Sequence, residues 1–293
     1  MANSGIDNVD LAFDASGLDT WAEEHRFEVT RERIIEYAEA TNDPIEAHRS
    51  GELAPPVFAI VPAFHALMEP ALEVVPVELI PRLVHGEQDF RFHRPIVAGD
   101  RLVSRGKMIG YEGLPNGTRS AIYLECRTED GELVNEQYVT AFFRGFDAGE
   151  NVGAQAPGHK FDERLRATPP AAKLTQHVDE DQTFRYGPAA GDPMPIHLDD
   201  EIARSAGLPG IIAHGLCTLA FTSWAVLTEV TDGRSERLRR LAVRFSKPVL
   251  PGQDITTHIW NAGSAEGGTA YAYETTVGDD LVIKDGYAVV DGN

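Results

Sequence analysis

The amino-acid sequence contains an internal repeat, and this feature limits most strongly how the chain can fold. Two sets of residues recur, the first at a spacing of 149 positions and the second at a spacing of 153. The first set pairs Tyr37 with Tyr186, Asp43 with Asp192, Pro44 with Pro193, and His48 with His197. The second pairs Pro56 with Pro209, Phe92 with Phe245, Pro95 with Pro248, and Gly99 with Gly252. Because matches at a fixed spacing indicate a duplicated unit, the sequence predicts two similar halves.

Each half has an α+β pattern. A Tyr/Asp/His segment is followed by an apolar stretch with helical spacing and then by β-branched or alternating runs. These runs predict strands at residues 121–127, 138–143, 270–277 and 282–290. Between the halves the chain is rich in Gly, Pro and Ala, which is typical of a linker. The predicted boundaries are an N-terminal repeat at 1–147, a linker at 148–176 and a C-terminal, catalytic repeat at 177–293.

Residues 215–230 form the most continuous apolar segment of the second half. The segment has no proline and no interior glycine, which favours a helix buried on most sides, with a sheet wrapped around it. A pair of fully buried strands is the alternative, because short apolar runs fit both structures.

Composition and charge restrict the possible functions. The chain has 293 residues, of which 42% are hydrophobic and 25% charged, the balance of an ordinary globular protein. Its 26 basic and 46 acidic residues give a net charge of −20, which argues against nucleic acid and anionic membranes as partners. Residues 1–10 have no pattern of a secretion leader. The two cysteines are too few for a disulfide framework, so we expect a cytoplasmic protein.

Asp192 and His197 are the candidate catalytic residues. They lie five positions apart in a segment, residues 186–207, whose glycines and three prolines predict an irregular loop. A carboxylate and an imidazole that converge on a cavity can hold a water molecule for general acid/base chemistry near neutral pH. A structural hydrogen bond between the two side chains is the alternative.

Three motifs resemble those of the MaoC-like family of R-specific enoyl-thioester hydratases and dehydratases, in its double-hotdog form. They are GDPMPIH at 191–197, GLPGIIAHGLCTL at 207–219 and FSKPVLPGQDI at 245–255. The resemblance implies two repeats, each an antiparallel sheet around a long central helix, with both repeats able to share one continuous sheet. It implies reversible hydration of a 2-enoyl thioester to the (R)-3-hydroxyacyl thioester, with Asp192 and His197 handling the water and the α-proton, and no cofactor.

The same resemblance suggests how the substrate is held. The amide of Gly215, at a helix N-terminus, is the candidate donor to the thioester oxygen; the alternative is that Gly215 only permits close helix packing. Tyr186, Met194 and His214 are predicted to contact substrate. Met194 stands where the family signature has Asn, which favours a substrate other than an ordinary straight-chain enoyl thioester.

A basic segment at residues 234–247 contrasts with the acidic chain. Arginine suits phosphate through its forked donors, so Arg239, Arg240 and Arg244 are predicted to bind the phosphates of coenzyme A or of an acyl-carrier protein. The alternative is that these arginines lie on a strand and pair with acidic residues elsewhere.

The first repeat retains Asp43 and His48, so a second active site has to be considered. At the 153-residue spacing, however, His214 and Gly215 correspond to Val61 and Pro62, and proline has no backbone N–H to donate. We therefore expect one working site, with Asp43 and His48 in a structural role.

Other functions remain open at this stage. A hotdog thioesterase and a noncatalytic acyl-thioester-binding partner would share the fold. A metal site has suitable ligand types but no recognised spacing, and none is predicted; the candidates would be Asp192, His197, Asp199, Asp200 and His214. A homodimer is expected.

Overall fold

The computed structural model describes residues 11–292, and residues 1–10, where no leader is expected, lie outside this range. The N-terminal repeat begins with β1 (His25–Glu28), α1 (Arg31–Ala40) and α2 (Glu46–Arg49). Its central helix is α3 (Phe64–Val74). Its remaining strands are β2 (Leu83–Phe92), β3 (Arg101–Leu114), β4 (Gly117–Thr128) and β5 (Leu133–Arg144).

The second half repeats this order after a short strand, β6 (Val152–Gly153). Its first elements are β7 (Ala172–His177), α4 (Gln182–Ala190), α5 (Asp200–Ser205) and α6 (Gly215–Thr231). Its last four strands are β8 (Leu238–Phe245), β9 (Asp254–Ala265), β10 (Gly268–Val277) and β11 (Asp280–Val290). The strands predicted at 121–127, 138–143, 270–277 and 282–290 are thus found within β4, β5, β10 and β11.

The two repeats share one antiparallel sheet. The strand order is β1-β3-β4-β5-β2-β8-β11-β10-β9-β7, with β6 paired to β3. At the centre β2 pairs with β8, and Asp89 lies opposite Ala242. These two residues are 153 positions apart, the spacing of the repeat, so an approximate two-fold axis passes between them. The architecture is the α+β double hotdog expected from the sequence.

The central helix of the second repeat is α6, and the alternative of two buried strands for this segment is wrong. Most of its side chains are buried, and it packs against β7, β8 and β9. In the first repeat Pro62 lies in a 3₁₀ helix at Pro56–Ala63, which precedes α3, and Pro70 lies within α3. The combined segment Pro56–Val74 is long and apolar enough to cross a membrane, but 67% of its 18-residue apolar window is buried inside the fold, as in a core helix.

The helices α1 and α4 join the repeats on the side of the sheet that carries the core. The hydroxyls of Tyr37 and Tyr186, which are equivalent in the repeat, lie 3.3 Å apart at hydrogen-bonding distance. The side-chain amide of Gln182 donates to the Ala40 carbonyl at 2.6 Å, and the indole of Trp224 donates to the Thr41 carbonyl at 3.1 Å. The two halves therefore have one common hydrophobic core.

The predicted linker at 148–176 needs one correction. Residues 172–176 belong to β7, which hydrogen-bonds along β9 and forms the edge of the sheet. The prolines at 169 and 170 hid this strand, because they extend the linker composition up to its first residue. Ahead of it, Phe161 and Leu165 pack on Trp260, so the connection lies against the outer face of the sheet.

Candidate active site

A tight turn after α4 positions Asp192. Gly191 adopts a left-handed conformation with φ of 74°, which favours glycine, and ends the helix. The Asp192 amide then donates to the Gly187 carbonyl at 3.0 Å. One carboxylate oxygen of Asp192 accepts a hydrogen bond from the amide of Met194 at 3.1 Å, which fixes the side chain at the start of the loop.

His197 ends the 3₁₀ turn Pro195–His197 and is buried. Its Nδ1 lies 2.9 Å from the carbonyl oxygen of Ile212, and because a carbonyl can only accept, Nδ1 carries the proton. The neutral ring therefore presents an unprotonated Nε2 as a proton acceptor.

Three side chains converge at this point. One oxygen of Asp192 and one ring nitrogen each of His197 and His214 all lie within 4.8 Å of one another. The rings of His197 and His214 stack with centroids 3.8 Å apart. A single water that donates hydrogen bonds to two acceptors spans about 4.5 Å, so a water can bridge Asp192 and His197. The predicted convergence of these two residues is confirmed.

Burial shifts the pKa values of all three side chains. It raises the pKa of the Asp192 carboxyl, against the opposing effects of the Met194 amide and of His197. It lowers the pKa of His197, against the hydrogen bond to Ile212 and the charge of Asp192. Burial together with the neighbouring His197 lowers the pKa of His214 to about 3. Near neutral pH both imidazoles are uncharged, and Asp192 is the only one of the three side chains that can carry a negative charge.

The N-terminus of α6 lies beside these side chains. His214 is the N-cap residue of α6 but makes no side-chain capping hydrogen bond, so its side chain does not satisfy the amides of the first helical turn. Gly215 is the first helical residue, and the ring of Phe245 lies over its missing side chain. The helix dipole adds partial positive charge at this end.

Asp192, His197 and His214 are also a group whose atoms are close enough to hold a metal ion. The stacked arrangement of the two imidazoles opposes this, because the lone pairs lie in the ring planes and nearly parallel planes do not direct them at one point. A metal would require at least one ring to rotate out of the stack.

Comparison with known proteins identifies the family. A model of the MaoC-like domain matches residues 162–282, and a model described as FAS1-like, dehydratase domain region, matches residues 16–137. The 3-hydroxyacyl-thioester dehydratase Y of Mycobacterium tuberculosis is 31% identical over 214 residues, which cover 70% of this chain and 71% of that protein. The chain belongs to the MaoC-like dehydratase family.

Other members of the MaoC-like family support the fold. A probable enoyl-CoA hydratase 2 of Dictyostelium discoideum is 28% identical over 71% of this chain and 70% of its own length. The crystal structure of a MaoC-like dehydratase from Phytophthora capsici superposes with a TM-score of 0.82 at 23% identity, over 94% of this chain and 98% of that one.

The aspartate and the histidine of the signature recur in the first repeat with a different geometry. There the Nδ1 of His48 bonds directly to the Asp43 carboxylate at 2.7 Å, and Nε2 lies 3.1 Å from the hydroxyl of Ser235. Both ring nitrogens are thus engaged and both residues are buried. Pro62, in place of the glycine, lies inside the 3₁₀ helix before α3.

Two residues that were predicted to contact substrate, Tyr186 and Met194, lie in environments different from those expected. Tyr186 is fully buried beneath the site, with its hydroxyl at Tyr37 and its ring 4.9 Å from that of His214. It supports the His214 ring instead of lining a cavity. The side chain of Met194 is 51% exposed, and its backbone amide is the group that contacts Asp192.

The arginines predicted to bind phosphate are paired with acidic side chains. Arg239 bonds to Asp291, Arg240 makes two bonds to Asp89 at 2.9 and 2.7 Å, and Arg244 lies 3.6 Å from Glu87. Because side chains alternate along β8, Arg244 projects from the face opposite to Phe245 and thus away from Gly215. The structure favours the alternative, in which these arginines pair with acidic residues across the sheet.

Two features of the site could not be predicted from the residues alone. The Ile212 carbonyl, which fixes the His197 ring, belongs to the backbone and has no residue-type signature. The stacking of His197 on His214 joins residues 17 positions apart, and a pattern of spacing does not reveal such a contact.

Proposed function

We propose that the protein is a hydro-lyase that interconverts a 2-enoyl thioester and its (R)-3-hydroxyacyl thioester, with Asp192 and His197 as the catalytic dyad. One observation carries this proposal: a carboxylate and a neutral imidazole whose Nε2 is unprotonated converge beside the N-terminus of α6. The relatives named as a 3-hydroxyacyl-thioester dehydratase and an enoyl-CoA hydratase support the reaction class.

In the hydration direction, both members of the dyad accept hydrogen bonds from one water molecule. The water oxygen, whose two hydrogens point at Asp192 and His197, directs a lone pair at C3 of the enoyl group. As the C3–O bond forms, one proton passes from the water to the dyad, and the C2=C3 electrons move toward the thioester carbonyl. The dyad then delivers a proton to C2, which restores its starting state.

The thioester oxygen gains negative charge while the enolate exists. The Gly215 amide is the donor that stabilises it, and the dipole of the 17-residue helix α6 acts in the same direction. Because Gly215 has no side chain, the thioester can approach this amide closely.

Two other functions remain as alternatives. A thioesterase would direct the same water at the thioester carbonyl and release free thiol. A noncatalytic partner would bind acyl thioesters without turnover. The fold alone does not separate these functions, since a putative oleoyl thioesterase from Lactobacillus plantarum has the same fold at 11% identity and a TM-score of 0.56.

The experiment uses crotonyl-CoA and a longer 2-enoyl-CoA as substrates and follows the ultraviolet absorbance of their conjugated enoyl-thioester group. The expected result is loss of the band without thiol release, with (R)-3-hydroxyacyl-CoA as product. Thiol release with an unchanged double bond would establish a thioesterase, and binding without either change would establish a noncatalytic partner.

Three further properties are proposals. Delivery of the acyl group by coenzyme A or by a carrier protein is tested by comparing the two thioesters. A homodimer is supported by exposed apolar side chains on one side of the N-terminal repeat, Met68, Leu72 and Val77, and is tested by light scattering. A cytoplasmic location is supported by two buried free cysteines and is tested by imaging the tagged protein.

A further inference from the structure

The strand β2 of the N-terminal repeat brings a histidine to the C-terminal site. The ring of His85 lies 5.0 Å from the ring of Phe245, in an edge-on orientation. Two carbons of the same Phe245 ring lie 3.4 Å from the position that a Cβ on Gly215 would occupy. One aromatic ring therefore contacts both the imidazole of His85 and the backbone of the proposed oxyanion donor.

The Nε2 of His85 is shielded from solvent and has no hydrogen-bond partner within residues 11–292. Burial lowers the pKa of His85 to about 4, against interactions with the backbone of Glu87 and the side chain of Gln88. The ring is therefore neutral near pH 7 and can donate or accept one hydrogen bond. An unpaired polar atom at a buried position destabilises a fold, so the Nε2 of His85 calls for a role outside packing.

The approximate two-fold axis offers an internal comparison. In β2 the pairing to β5 skips Gly86, directly after His85, and in β8 the pairing to β11 skips Arg239, directly after Leu238. His85 and Leu238 are 153 positions apart and thus equivalent. In the N-terminal half, Leu238 lines a small cavity together with Phe92 and Ala59.

The two halves therefore differ at paired positions. The half with Gly215 at the helix start has an imidazole from the opposite repeat beside it, whereas the half with Pro62 has the leucine. A polar side chain is thus found beside the ring that covers Gly215, and an apolar one at the equivalent position of the half in which the oxyanion donor is missing.

We propose that His85 contacts the substrate and hydrogen-bonds, through Nε2, to the carbonyl or amide groups of the thioester arm, so that the C-terminal site is completed by the N-terminal repeat. This inference rests on the proposed function, because it assumes that acyl thioesters occupy the site at Gly215.

Two variants and a nonreactive ligand test it. His85→Leu reproduces the residue of the other half, and His85→Gln keeps a side-chain N–H of similar reach. The affinity for butyryl-CoA, which has no double bond to hydrate, is measured by calorimetry, and kcat and KM are measured with crotonyl-CoA. His93→Gln is the matched control, since His93 pairs with Glu136 on the sheet surface.

We expect His85→Leu to weaken butyryl-CoA binding and to lower kcat/KM by about 3- to 10-fold, the net contribution of one hydrogen bond. His85→Gln should recover most of this loss, and the control should match the wild type. Thermal stability should be unchanged or higher in His85→Leu, because an unpaired buried nitrogen is removed.

Wild-type affinity in His85→Leu, or equal losses in folded His85→Leu and His85→Gln, would overturn the inference. Because butyryl-CoA binding does not depend on turnover, failure of the proposed reaction can be distinguished from failure of the inference on His85. In that case the wild type would bind butyryl-CoA without hydrating crotonyl-CoA, and the affinity difference would still decide the role of His85.

Discussion

Substitution of Gly215 by alanine separates its two possible roles. An added Cβ would lie 3.4 Å from two carbons of the Phe245 ring and 3.6 Å from a third, which is ordinary van der Waals contact. The backbone φ angle of Gly215 is not positive, so its conformation does not require glycine. The packing and the backbone therefore accept alanine. Because alanine favours a helix by up to about 1 kcal/mol over glycine, the free energy of unfolding should stay constant or rise slightly.

Activity should respond in the opposite direction. The added methyl group would lie next to the Gly215 amide, which is the proposed donor to the thioester oxygen. Loss of one oxyanion donor lowers kcat by about 10²- to 10³-fold, or roughly 3–4 kcal/mol of transition-state stabilisation. We expect a loss approaching this range, because the N–H is obstructed and not removed.

The assay measures kcat from the loss of enoyl-thioester absorbance and stability from thermal unfolding by circular dichroism. Pro62→Ala at the equivalent position of the N-terminal repeat is the control, and it should leave kcat unchanged. If Gly215→Ala lost stability but kept the wild-type kcat per folded molecule, glycine would serve helix packing and the oxyanion assignment would be refuted.

Three further predictions follow from burial and pairing. The reaction requires an ionised carboxylate and a neutral imidazole in the dyad, and burial raises the pKa of the first and lowers that of the second. Because the pKa of His197 is lowered, protonation of its ring should not reduce kcat/KM until the pH is below the ordinary His value of about 6.5; an acid limb with its midpoint above 7 would contradict this. Arg240→Ala leaves the buried Asp89 unpaired and should lower the free energy of unfolding by about 3–5 kcal/mol in urea titration, while the KM for acyl-CoA stays constant. A salt-sensitive increase in KM would restore the phosphate-binding role. His48→Ala leaves the Asp43 carboxylate without its partner and should cost about 1–3 kcal/mol of stability, and a variant of wild-type stability would refute the structural role of this pair.

The repeat made much of the fold predictable. Two similar halves, the helix after His214 and four of the strands follow from spacing and from apolar patterns. The edge strand at Ala172–His177 did not, because it is short, directly follows two prolines and is stabilised by backbone bonds to β9. Local composition carries no information on such a distant partner.

The site was predictable to the extent that it is local. Asp192 and His197 are held by turns that glycine and proline encode within a few positions. The surroundings of Arg239 and Arg240 were not predictable, because their partners Asp291 and Asp89 are 52 and 151 positions away. His85 enters the site from the other repeat; its equivalence to Leu238 follows from the 153-residue spacing, but its contact with Phe245 does not.

The central claim is that one dyad works and the other is structural, and the two-fold repeat supplies its own controls. The measurement is kcat per folded molecule with crotonyl-CoA for Asp192→Asn and His197→Ala, compared with Asp43→Asn and His48→Ala. The account predicts that the first two variants are folded and have lost activity by several orders of magnitude, whereas the second two are less stable and turn over at the wild-type rate. Substantial activity in His197→Ala that a further His48→Ala substitution abolished would contradict it.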